Sequence, residues 1–116
     1  MDRLEIEKKL QGFCDRNDRI RKMYNDKPSG YKKMIKAEYA QLKKDLRTER
    51  RRIATARWKN QASSDEKYSY FPAITEACIE LRVRSGSLPN DEMISNLYAA
   101  RMDISSFLDG LKKQKN

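Results

Sequence analysis

Residues 35–53 read IKAEYAQLKKDLRTERRRI. Apolar side chains recur here in steps of four and three, at Ile35, Tyr39, Leu42, Leu46 and Ile53, with Ala56 just beyond. Glu49 is the one charged residue in that series. Such spacing collects the apolar groups on one side of a helix, whereas a strand would alternate them residue by residue. No glycine or proline interrupts residues 31–59, so the segment predicts one long amphipathic helix.

The same stepping occurs upstream, at Ile6, Leu10, Phe13, Asn17, Ile20 and Tyr24. NDKPSGY, residues 25–31, separates the two series. Pro28 disfavours the helical conformation at Lys27, and Gly30 gives the backbone freedom to turn. Folding the helices back on each other pairs residues whose numbers sum to about 59, so that Phe13 meets Leu46 and Ile6 meets Ile53. Asn17 then falls opposite Leu42, and Glu49 opposite Leu10. Lone polar residues in such a seam fix register at a cost in stability.

Downstream, NQASSDEK at 60–67 reads as a linker. A third helix starts at about Pro72, with Ile74, Ala77, Cys78 and Leu81 on its apolar face. RSGSLPND at 84–91 is a turn that ends in a helix start. There Asn90 is the cap, and Asp91 and Glu92 occupy the first turn, where the helix dipole favours acids. The fourth helix carries Met93, Leu97, Ala100, Ile104, Phe107 and Leu111. The predicted fold is all-α, two antiparallel helical hairpins built from four helices, the first long and coiled-coil-like. Residues 1–59 form the first hairpin and 60–116 the second, packed as one unit.

The composition leaves little room for reaction chemistry. There is no histidine among 116 residues, which removes the commonest general base and metal ligand. Two cysteines 64 positions apart, Cys14 and Cys78, make neither a disulfide framework nor a zinc site, and read as buried, inert thiols. No glycine-rich phosphate loop is present. Glu76 and Glu80, one helical turn apart, read as a solvated face rather than a metal site. These features predict a protein that is not an enzyme and needs no cofactor or metal. MDRLEIEKKL at the start lacks a signal-peptide core, and no apolar run reaches membrane-spanning length, so a cytoplasmic protein without membrane contact is expected.

The charge is where the sequence speaks of partners. Of the net +9, residues 32–59 contribute eleven basic and three acidic side chains, residues 1–31 eight and six, and residues 60–116 seven and eight. On a helical wheel Lys32, Lys36, Lys43, Arg47 and Arg50 fall on one flank, Lys33, Lys44 and Arg51 on the back, and Glu38 and Asp45 on the opposite flank. Charges of a merely solvated helix are usually interspersed, whereas these are sorted. A basic stripe of this kind suits phosphates, and arginine suits bidentate contacts and base stacking. Lys36, Lys43, Lys44, Arg47, Arg50 and Arg51 are the expected phosphate contacts, with Arg57 or Trp58 approaching bases. Trp58 stacks on an unpaired base if exposed, or packs beneath the YSYF aromatics at 68–71 if covered.

RTERRRIATARWKNQ, residues 47–61, resembles the arginine-rich RNA-binding stretch of the antitermination N proteins of lambda-like phages. The matching residues are Arg47, Glu49, Arg50, Arg51, Ala56, Trp58 and Lys59. The resemblance implies a short basic helix bound to a hairpin RNA, with the tryptophan stacked on its loop. The expected partner is thus nucleic acid, DNA or structured RNA, bound by a small regulatory protein. The alternative is a phage- or mobile-element-type adaptor or inhibitor that docks on a partner protein. That reading uses the Tyr68, Tyr70 and Phe71 cluster, since aromatics dominate interface energetics. An acidic protein surface for the basic stripe, and a homodimer joined through the seam of the first hairpin, complete the expectations.

Overall fold

The computed structural model describes residues 3–58, 70–82 and 88–113. Among them are four helices and no strand: α1 (Arg3–Asp26), α2 (Tyr31–Trp58), α3 (Phe71–Glu80) and α4 (Asp91–Lys113). Each helix packs on its sequence neighbours, and α4 returns to α1, which closes a four-helix ring. A single apolar core runs through all four. The linker at 60–67 lies outside the described residues.

The first hairpin forms as its spacing predicts. α1 stops at Lys27, whose φ of 48° breaks the helix ahead of Pro28, and Gly30 turns the chain at φ 74°. Three ion pairs then mark the antiparallel register: Lys9–Glu49 at 2.8 Å, Arg16–Asp45 at 2.8 Å and Arg19–Glu38 at 3.3 Å. Their numbers sum to between 57 and 61, around the expected 59.

The second hairpin changes what the first one's seam does. Asn17, only 2% exposed, gives its Nδ2 hydrogen to the Leu97 carbonyl at 2.8 Å, so it serves the α1–α4 contact rather than facing Leu42. Near it, Arg101 Nε donates to Asp18 at 2.6 Å, Tyr24 Oη to Asp91 at 2.8 Å, and the Arg21 guanidinium lies 4.4 Å from the Tyr98 ring centroid. Because α1 is covered by both α2 and α4, its buried stripe widens to include Glu7, Cys14 and Met23. Tyr24 and Phe107, placed in the seams by strict stepping, are only half-buried, and Met23 and Leu108 are buried beside them. An ideal helix drifts by ~20° per heptad from a strict seven-residue repeat, enough to hand a contact to the next residue.

With Ile6, Leu10, Phe13, Ile20, Ile35, Tyr39, Leu42, Leu46 and Ile53 all buried within one chain, the seam expected to join a homodimer is already occupied. Pro72 sits in the first turn of α3, where its missing N–H is harmless. Asn90 caps α4 by accepting from the Met93 amide at 2.8 Å. Asn90→Ala should therefore lower stability by about 1 kcal/mol, measurable by urea denaturation.

Candidate nucleic-acid interface

The ion pairs that mark the hairpin register also sort its charge. All three acids of α2, Glu38, Asp45 and Glu49, point to basic groups of α1. Among the described residues, none of Lys36, Lys43, Lys44, Arg47, Arg50 or Arg51 is in an ion pair. Lys36, Lys44, Arg47, Arg50 and Arg51 are exposed, and Lys43 is half-buried with its ammonium 5.7 Å from the Tyr39 ring centroid. Burial first, and then the neighbouring Arg47, pull the Lys43 pKa below its ordinary value.

The stripe is not a plain convex ridge. A groove of about 640 Å³ runs between α2 and α3, lined by Arg47, Arg50 and Arg51 on one side and Thr75, Cys78 and Ile79 on the other. A smaller one of about 450 Å³ lies along α2 and is lined by Lys43 and Lys44. Arg47 and Arg51 line both. Arg50 is held in place, its Nε donating to Thr75 Oγ1 at 3.2 Å while its guanidinium lies 5.3 Å from the Phe71 ring centroid. Burial pushes the Cys78 thiol above its usual value against the opposing pull of Arg50 and Arg47.

Beside the apolar core, a polar cluster centred on buried Glu49 and Tyr70 ties the start of α3 to α2. Glu49, 7% exposed, accepts from Lys9 Nζ at 2.8 Å, Arg52 Nε at 2.9 Å and the Tyr70 hydroxyl at 2.7 Å. Arg52 also donates from Nη2 to Glu49, and to the Tyr70 oxygen at 2.7 Å. Burial alone would raise the Glu49 pKa, but the hydrogen bonds from Arg52, Lys9 and Tyr70 outweigh it and hold the carboxyl below its ordinary range. Burial and the Glu49 carboxylate push the Tyr70 hydroxyl well above the usual tyrosine value.

Tyr70 therefore differs from the expectation that it belongs to a docking surface. It is 5% exposed and works inside the fold. Its hydroxyl meets the one carboxylate of the α2 seam, which draws the ring inward. Phe71 is half-buried beside Arg50. Tyr68 and the side chains of Arg57 and Trp58 lie outside the described residues, so the choice between a stacking and a packed Trp58 does too.

Ile79 went unmarked in the sequence, although it carries a signal. It is the apolar residue of α3 that falls off the Ile74–Ala77–Leu81 face, and it is 55% exposed in the groove wall. On the far side of α3, burial and then Glu80 and Glu76 raise the Asp103 pKa. No group of three ligating side chains suited to a metal ion occurs among the described residues. Nor is any described helix long and apolar enough to cross a membrane.

Compared with known proteins, the chain matches no family model, no curated relative and no solved structure.

Proposed function

We propose that this is a small, non-enzymatic nucleic-acid-binding protein with a regulatory role, and that the outer flank of α2 contacts phosphates. The observation that carries this reading is the sorting of charge: every acid of α2 is taken up by α1, while Lys43, Lys44, Arg47 and Arg51 stand together along two adjoining grooves, without ion pairs among the described residues. Cations concentrated in a concave surface focus the field on an approaching polyanion. The regulatory role is inferred from the lack of reaction chemistry in the sequence.

Release of counterions from neutralised phosphates gives the test. If about four cations each neutralise one phosphate of a single strand, the logarithm of affinity falls against that of salt with a slope of about −3. Affinity should then drop about fifty-fold between ~50 mM and ~200 mM salt. Fluorescence anisotropy with a labelled oligonucleotide measures this directly. Binding that is absent at low salt, or indifferent to salt, sinks the reading.

A further inference from the structure

We propose that the groove between α2 and α3 receives the base of an unpaired nucleotide, so that the substrate is a single-stranded segment and not duplex. This rests on the nucleic-acid reading above and names the class of nucleic acid it selects.

The argument begins with what a duplex could use. α2 is flanked by α1 on one side and α3 on the other, in a body measuring 47 × 30 × 18 Å. With both sides of α2 taken, a duplex would meet only its outer flank, where the exposed cations serve phosphates. Phosphates alone would be satisfied by the exposed cations and have no need of an apolar wall. Yet the groove has one: Ala54, Cys78 and Ile79 face the same space as Arg47, Arg50 and Arg51. Ile79 stays 55% exposed while Ile74 and Ala77, on the core side of α3, are fully buried.

An apolar wall beside guanidinium groups matches a base, which has a flat apolar face and polar edges and travels with a phosphate on either side. Arg50 is fixed in advance by Thr75 and Phe71, so a planar cation is already in place for stacking. The Thr75 hydroxyl, which also lines the groove, has a proton to give to a base edge. Arg47 and Arg51, shared by both grooves, sit where the backbone crosses from the base site to the Lys43–Lys44 side.

The test compares three ligands of equal length on the full chain by anisotropy at low salt: a single strand, the same strand made abasic, and the duplex. The single strand should bind about tenfold more tightly than either of the others, a ratio set by the stacking of a single base. Ile79→Ser, at an exposed position, should cut that preference by about threefold or more and leave the far-UV circular dichroism unchanged. Equal binding of all three ligands with steep salt dependence would overturn the base site and leave the phosphate-binding reading standing. A base preference that Ile79→Ser leaves intact overturns the assignment to this groove. Failure of all three to bind ends both proposals.

Discussion

A protein carrying Arg47→Glu and Arg51→Glu together should bind a short single strand at least about a hundredfold more weakly than the parent, with an unchanged circular dichroism spectrum. Both arginines are exposed and outside every ion pair among the described residues, so reversing them breaks no internal contact. The change amounts to four charge units at the point shared by the two grooves. At ~4 Å in water each unit is worth about 1 kcal/mol, and screening at physiological salt trims the sum to the hundredfold range. Lys112 and Lys113, at the end of α4, supply the control. Reversing them alters net charge equally, and their variant should lose only a few-fold. If both variants lose affinity alike, the protein is a diffuse cation and α2 is not a site.

Glu49→Ala should be the most damaging substitution to stability in the polar cluster, by about 2–3 kcal/mol. The estimate weighs its partners separately. The side chains of Lys9 and Arg52 are 32% and 48% exposed and can turn back to water, so their ion pairs contribute little net. Tyr70 is 5% exposed, and its hydroxyl stays buried with one partner fewer. For a domain of this size the loss lowers the melting temperature by about 8–12 °C in calorimetry. A shift of only a degree or two would show that the cluster is incidental.

The pH dependence has a definite sign. The folded-state pKa of Glu49 lies below its ordinary value of 4.5, so its stabilising share is present above that value and disappears as pH falls through the folded pKa. The gap between parent and Glu49→Ala should therefore close in acid. Tyr70 acts at the other end: its pKa is raised above 10.0, so its share holds below that pH and fades in strong alkali.

The helices and the α1–α2 register were legible because they depend on spacing within the chain. Steps of four and three, a proline at 28 and a glycine at 30 determine them locally. Asn17 was legible as a buried polar residue, but its partner was not, because the Leu97 carbonyl lies 80 positions away on a helix the hairpin alone does not include. The candidate interface divides in the same way. The sorted lysines and arginines of α2 follow from a wheel, whereas the groove beside them needs α3 to arrive with Thr75, Cys78 and Ile79. Tyr70 was misplaced for a related reason. Aromatics beside a linker look available until a buried carboxylate claims one of them.

The return of α4 to α1 has a consequence for the order in which this molecule is made. As the chain leaves the ribosome, α1 and α2 emerge together, but the flank of α1 around Cys14 and Asn17 has no cover until α4 follows. The early hairpin thus carries an unfinished apolar side opposite its basic one, and every completed copy passes through that stage. Closing the ring brings together groups 80 positions apart, a contact that must be won against chain entropy before it stabilises anything. The flank of α1 is thus completed late, by α4, whereas the groove beside the basic helix needs only α3.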